Sequence, residues 1–265
     1  MMKLQIRMIA PFVIFYFFVV CISAIPGKGI AETNNSRTKP ELISLYTYHT
    51  HPPFQISQNK GLSYDLADYL TQRSKGRYEF AVKPMSRPRV DKMLDQAQSG
   101  VIPWVNPVWF KDVKEDKYMW TQGVFMEDGN AIISHQKKRI IYEGPETLKG
   151  LLFGGLRGHF YQGIDDYIKE THQRVRVDAE NHIDNFRKLT KQRIDVTLMP
   201  ESGALYYINQ ANLSDVLFVS PKLHTQFQRR AIIINKRKDI LEFLEMVSKE
   251  MGDDLEWKNI MTAYQ

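Results

Sequence analysis

His49 and His51 stand two residues apart, and Asp165 and Asp166 are adjacent. Pairs of this kind are where a metal site or a general acid–base couple would begin. Neither pair finds the partners it needs. No third histidine lies near His49 and His51, so no metal is expected there. Asp165 and Asp166 fall in a stretch read as helix, where adjacent positions do not share a face, and solvated surface is the expectation. Gly154-Gly155-Leu156-Arg157-Gly158 is the nearest approach to a phosphate cradle, but its spacing fits neither the dinucleotide fingerprint nor the P-loop. No nucleophile elbow occurs, and no nucleophile, base and orienting group assemble along the chain. The reading is therefore a protein without catalytic residues, metal or cofactor.

Charge and thiol content narrow the class further. The chain of 265 residues carries a formal +6, of which Lys3, Arg7 and Lys28 supply half, since no acid precedes Glu32. Clusters such as Lys137-Lys138-Arg139 and Arg229-Arg230 are short and read as solvated surface. A nucleic-acid partner needs a coherent basic face, so none is expected. Cys21 is the single cysteine. Without it the chain holds neither disulfide nor cysteine-ligated metal, which suits an oxidising compartment.

The elements that must position any site alternate between two periods. Strand patterns run over Leu42 to Thr47, Tyr78 to Val82, Val101 to Val105, Ala131 to Ser134, Leu151 to Gly154, Arg174 to Val177, Asp195 to Leu198, Val216 to Val219 and Ala231 to Ile234. Helical spacing marks Leu62 to Arg73, where Leu62, Leu66, Tyr69 and Leu70 share a face. Arg87 to Gln98 has Ser86 as a cap, Pro88 in its first turn and Gly100 beyond its end. Further helices are read over Tyr161 to Thr171, Ala179 to Lys191, Ser202 to Gln210, Asp239 to Met251 and Leu255 to Thr262. Such alternation predicts α/β architecture with mostly parallel sheets and a ligand at the carboxyl ends of strands.

Residues 1 to 31 read differently. Lys3 and Arg7 precede an apolar run from Met8 to Ile25, followed by Pro26-Gly27-Lys28-Gly29-Ile30-Ala31. That order predicts a secretory signal peptide over 1–31, cleaved after Ala31 or after Ala24; an uncleaved anchor helix is the other reading of the same run. The polar stretch Asn34 to Pro40 reads as a flexible mature N-terminus.

Tyr48-His49-Thr50-His51-Pro52-Pro53-Phe54 follows the first strand, and Gly61-Leu62-Ser63-Tyr64-Asp65-Leu66 opens the first helix. Lys83-Pro84-Met85-Ser86-Arg87, Tyr118-Met119-Trp120-Thr121 and Leu148-Lys149-Gly150 come next, then Gly154-Gly155-Leu156-Arg157-Gly158, Arg193-Ile194-Asp195-Val196 and Ala204-Leu205-Tyr206-Tyr207. In order and spacing this set resembles the amino-acid-type bacterial periplasmic solute-binding proteins, extracellular solute-binding protein family 3 with the type II periplasmic binding fold. The resemblance covers essentially the whole mature chain. It implies a two-lobed α/β protein, each lobe a mostly parallel sheet flanked by helices, with a ligand cleft between. Lobe 1 would comprise 40–126 and 224–265, and lobe 2 would comprise 127–223. It also implies a periplasmic monomer that captures a small solute, amino-acid-like or otherwise polar or aromatic, by cleft closure. The solute would pass to the permease of an ABC-type membrane transporter. Presentation to a membrane receptor, or a periplasmic dehydratase-like enzyme using Glu201 or Glu127, are the alternatives.

The departures from the family pattern bear on the ligand. Where the family grips an α-carboxylate with arginine, Pro107 to Lys114 offers only Lys111 or Lys114, which lack the two-pronged guanidinium. The position of the family's acid for the amino group holds Pro200, with Glu201 beside it. Its Ser-Thr pair is His159-Phe160, following Gly158. Tyr48, Trp104, Trp109, Phe110, Phe160 and Tyr161 are candidate cleft aromatics, about half of them expected in the core. Aromatic walls suit a flat ring, an apolar solute or a cation. Arg87 and Arg157 stand at corners facing the implied cleft, where either would clamp a carboxylate or pair at the surface. The expected ligand-binding set is Tyr48, Arg87, Trp104, Trp109, Lys111, Arg157, Gly158, Phe160 and Glu201.

Overall fold

The computed structural model describes residues 39–96, 99–171 and 176–264. The signal-peptide reading lies outside the described residues. Residues 39–265 form one compact unit.

Among the described residues ten strands and seven α-helices follow in chain order: β1 (Glu41–Thr47), α1 (Leu62–Arg73), β2 (Tyr78–Pro84), α2 (Arg87–Asp95), β3 (Gly100–Val105), β4 (Met119–Trp120), β5 (Met126–His135), β6 (Phe153–Leu156), α3 (Ile164–Glu170), β7 (Arg176–Ala179), α4 (His182–Thr190), β8 (Val196–Pro200), α5 (Glu201–Gln210), β9 (Leu217–Val219), β10 (Thr225–Ile234), α6 (Lys238–Met251) and α7 (Leu255–Thr262). The strand path is β2-β1-β3-β10-β5-β8-β6-β7, with β4 on β10 and β9 on β5. Pairing is parallel within β2-β1-β3 and within β8-β6-β7. The two long strands between them run antiparallel to their neighbours. β10 pairs with β5 through Thr225–Arg229 and with β3 and β4 through Arg230–Ile234. One strand thus belongs to both halves of the sheet.

Each half is covered on both faces, which explains why its strands read as apolar runs. In the first half, Ile43, Leu45, Val101, Ala231 and Ile233 pack with α1, α6 and α7. Their alternates Ile102, Val105, Ile232 and Ile234 pack on the opposite face with Val90 of α2. In the second half, Ile132, Val196 and Leu198 face Ile164 of α3, while Ile133 and Met199 face Phe186 and Leu189 of α4 and Ala204 and Ile208 of α5.

α1 starts where the sequence requires glycine. Gly61 has φ +129°, and a Cβ there would stand 2.7 Å from the Phe54 carbonyl oxygen. Gly154 of β6 answers a different need: Asn185 of α4, fully buried, donates from Nδ2 to the Gly154 and Gly155 carbonyls at 3.2 and 2.9 Å. The Gly154-Gly155 pair is therefore a close helix-on-strand contact. Among the described residues no helix is long and apolar enough to cross a membrane.

Candidate functional site

β1 ends at Thr47, whose Oγ1 accepts the His49 backbone N–H at 3.1 Å. The chain then turns across the carboxyl end of the strand, so that Tyr48, His49 and His51 all line one cavity of about 670 Å³. Arg87, the first residue of α2, and Trp109 complete the wall from this half of the fold. Asn130 comes from β5, and Phe227 and Arg229 come from β10, the strand that both halves share. The second half supplies Leu156 at the end of β6, His159 and Tyr161 after it, Glu180 to Ile183 at the start of α4, and Leu198 to Pro200 with Tyr207. The volume lies within the range of small-molecule sites, and the walls are mostly carbon.

A bulge in β3 builds the floor. Arg230 pairs with Val105 and Ile232 with Ile102, so β3 spends one residue more than β10 over the same interval. The excess falls at Trp104, which is fully buried with φ +67°. A bulge re-aims local backbone. The Trp104 carbonyl accepts Nη1 of Arg229 at 3.1 Å. Its indole Nε1 donates to Ser63 Oγ at 3.0 Å on the far side.

Arg229 is the central charge and is 1% exposed. Its Nε donates to Asp128 Oδ2 at 2.8 Å, and both side chains are almost wholly buried. Asp128 also accepts from Ser202 Oγ at 2.8 Å and from the Gly129 N–H at 2.8 Å, so the carboxylate is saturated. The guanidinium carbon sits 4.6, 5.3 and 5.1 Å from the ring centres of Phe54, Trp109 and Phe227. Burial lowers the Arg229 pKa, with the Asp128 charge opposing. Arg87 donates from Nε to Asp91 at 2.8 Å, from Nη2 to the Trp109 carbonyl at 2.9 Å and from Nη1 to Tyr48 Oη at 3.5 Å, and its guanidinium lies 3.8 Å from the Phe110 ring centre.

Four histidines share the cavity. Burial first, then the Arg229 charge, holds His49 well below the usual imidazole range. The same causes take His51 to about 4, against a weaker opposing pull from Asp128. His182 also falls to about 4, through burial and the neighbouring His51 and His159. Burial, then Arg176, lowers His159. All four are neutral near pH 7. Nε2 of His49 and Nδ1 of His182 are buried without a hydrogen-bond partner. Among the described residues no group of three or more histidine, cysteine or acidic side chains is arranged to hold a metal.

Of the nine residues expected at the site, Tyr48, Arg87 and Trp109 line the cavity. Trp104 lies beneath it, with only its carbonyl engaged. Lys111 ends the short turn Pro107–Phe110 in a left-handed conformation and is exposed. Arg157 is outside the cavity: it pairs with Glu180 at 2.9 Å, both ends solvated, beside a separate surface depression. Gly158 and Phe160 are in the exposed turn after β6, Phe160 being 62% accessible. Glu201 heads α5 and turns into a smaller pocket with Asp128 and Tyr264, where burial raises its pKa. Of the other aromatics, Tyr161 lines the cavity and Phe110 is core.

Two surface readings are corrected. Arg229-Arg230 is buried: Arg230 pairs with Glu115 at 2.5 Å and donates to the Thr121 carbonyl. Asp165 is a partner of Arg176 at 2.5 Å and caps the Tyr161 N–H, while Asp166 is exposed. Sequence reasoning missed Arg229, Phe227, His182 and Tyr207 as cavity residues. It weighed His49 and His51 only as metal ligands. The signal available was an arginine opening an apolar strand, Arg229-Arg230-Ala231-Ile232, where solvated charge is out of place.

No protein-family model and no curated protein sequence matches the chain. Solved structures do. An ancestral arginine-binding protein bound to arginine is 19% identical, with 86% of this chain and 99% of that one covered and a TM-score of 0.62. The L-cystine solute receptor of Neisseria gonorrhoeae, in its unliganded open conformation, is 13% identical over 86% and 94% with a TM-score of 0.64. The periplasmic VFT2 domain of BvgS from Bordetella pertussis is 14% identical over 84% and 93% with a TM-score of 0.57. The chain therefore has the two-lobed type II periplasmic-binding-protein fold.

Proposed function

We propose that this chain is a periplasmic solute-binding protein that captures a small molecule by closing its two lobes and delivers it to an ABC-type membrane permease. The observation that carries the reading is the cavity of about 670 Å³, mostly apolar and walled from both parallel blocks of the sheet and from the antiparallel strands β5 and β10 that join them. Lobe 1 is 40–126 with 224–265, and lobe 2 is 127–223. The apolar N-terminal run directs export, and the mature protein is a monomer. Tyr48, Arg87 and Trp109 contact the solute from lobe 1. Tyr161 and Tyr207 meet it from lobe 2.

An enzyme reading needs an acid poised in the cleft. Glu201 sits in the smaller pocket, and Glu127 is an exposed acceptor of Gln228 Nε2 at 2.9 Å. Presentation to a membrane receptor uses the same cleft and the same closure, and differs only in the membrane partner.

A thermal-shift screen on residues 39–265 tests the reading. The panel spans amino acids, polyamines, aromatic acids, nucleobases, small peptides and dicarboxylates. A ligand at 100 times its Kd adds about 2.7 kcal/mol of stability. The expected result is a raised Tm with the ligand recovered unchanged. Consumption of the ligand overturns the binding role in favour of catalysis.

A further inference from the structure

Arg229 reaches the cavity from β10 with one nitrogen to spare. Its Nε donates to Asp128 at 2.8 Å and its Nη1 to the Trp104 carbonyl at 3.1 Å. Nη2 has no hydrogen-bond partner among the described residues. Unlike Nε2 of His49, it is not sealed off: it keeps surface on the cavity that Arg229 lines, although the residue as a whole is 1% exposed. The guanidinium is held in place by Phe54, Trp109 and Phe227, whose ring centres lie 4.6, 5.3 and 5.1 Å from its carbon. Nη2 is therefore a fixed donor on a cation, the arrangement that receives one oxygen of a carboxylate.

The ion pair does not cancel this donor. Asp128 is no part of the cavity wall: it binds Nε, and Ser202 Oγ and the Gly129 N–H hold it there. The pair thus presents its positive end to the cavity. Arg87 adds a second guanidinium to the wall, and its partner Asp91 also lies outside it. α4 starts at the same wall, where Glu180 to Ile183 line the cavity, and the N–H groups of its first turn add positive potential. Among the described residues the one acid on the wall is Glu180, which is solvated and paired with Arg157. An ammonium group would lose its hydration beside two cations with no unpaired anion to meet it. The rest of the wall is mostly carbon, with rings from Tyr48, Trp109, Phe227, Tyr161 and Tyr207.

We propose that the solute is an organic monocarboxylate with an apolar, ring-sized body and no ammonium group, and that Nη2 of Arg229 receives its carboxylate. This rests on the solute-binding reading and names its ligand class. Free α-amino acids and polyamines are excluded by the same wall.

Calorimetric titration of residues 39–265 at pH 7 decides it, with compounds of one shape: 3-phenylpropanoate, its uncharged amide, and phenylalanine, which adds an ammonium group. The expected result is binding of 3-phenylpropanoate, with the amide and phenylalanine each at least tenfold weaker. Arg229→Lys keeps a charge for Asp128 but has a single nitrogen to share, and should weaken 3-phenylpropanoate at least tenfold while leaving the amide nearly unchanged. Arg229→Met combined with Asp128→Asn removes the buried pair together, so that neither charge is left unmatched, and should do the same. Circular dichroism of both variants checks that they fold. Binding of the amide or of phenylalanine as tight as that of 3-phenylpropanoate overturns the ligand class and leaves the binding role standing. Unchanged affinity of a folded variant for 3-phenylpropanoate overturns the assignment to Arg229, and so does an equal loss for carboxylate and amide, which marks a purely structural role. Silence from every compound overturns the ligand class, and the broader thermal-shift panel then decides the binding role separately.

Discussion

The fully buried ion pair of Arg229 with Asp128 sets the character of the cleft. It lines the cavity with a cation whose charge is already matched, and it ties β10 to β5 where the two parallel blocks of the sheet join. Removing one partner leaves the other charge uncompensated, which typically costs about 3–5 kcal/mol. Asp128→Asn should therefore lower unfolding free energy by that order in urea titrations; a loss under about 1 kcal/mol would contradict a structural role for the pair. The histidines make a second prediction. His51 and His182 bind protons more weakly folded than unfolded, at about 4 against an ordinary 6.5. Between those values the unfolded chain holds more protons, so stability rises with pH. The contribution is complete above about 6.5 and is lost as pH falls through 4. The Tm of the unliganded protein should drop by several degrees between pH 7 and pH 4, at roughly 2–4 °C per kcal/mol for a chain of this size. His51→Phe should flatten that slope. Tyr48 and Trp109 were legible at this scale because an aromatic segment followed a strand. Arg229 was not, because a dibasic pair resembles surface until the apolar strand behind it is seen to be central.

Elements were legible where packing dictates side chains. α1 and α7 have the limits that their apolar spacing predicts, Leu62–Arg73 and Leu255–Thr262. β5 and β10 were visible only in their apolar halves. Each runs ten residues, and Met126-Glu127-Asp128-Gly129-Asn130 pairs with Thr225-Gln226-Phe227-Gln228-Arg229. There the ladder joins the two parallel blocks of the sheet rather than lying inside either core, so the side chains are free to be polar and the strand period fades. β4 escaped notice because two residues carry no period. Gly61 offers a test at this scale. A Cβ would meet the Phe54 carbonyl oxygen at 2.7 Å and the Gln55 Cα at 2.8 Å, in a backbone conformation that L-residues avoid. Both obstacles are main chain and cannot swing aside. Gly61→Ala should cost about 2 kcal/mol or more of unfolding free energy. A neutral outcome would mean that the turn between β1 and α1 is not fixed as described.

The whole molecule follows from a sheet that is parallel in two blocks and antiparallel where they join. Alternating strand and helix patterns carried that architecture in the sequence, and the ordered corner motifs carried the two-lobed fold. The cleft was less legible for a physical reason: its wall draws on residues from Tyr48 to Arg229, and only the folded chain sets them side by side. Corner positions such as Arg157 and Lys111 satisfy the motif yet rotate to solvent, because a partner or a left-handed turn takes them away. A solute that closes the lobes over this cavity must draw the molecule in. Small-angle X-ray scattering on residues 39–265, with and without a saturating ligand from the thermal-shift screen, reads that change. A smaller radius of gyration and a shorter maximum dimension are expected when the ligand is bound. A ligand that raises Tm but leaves both unchanged would contradict closure, and with it the capture mechanism.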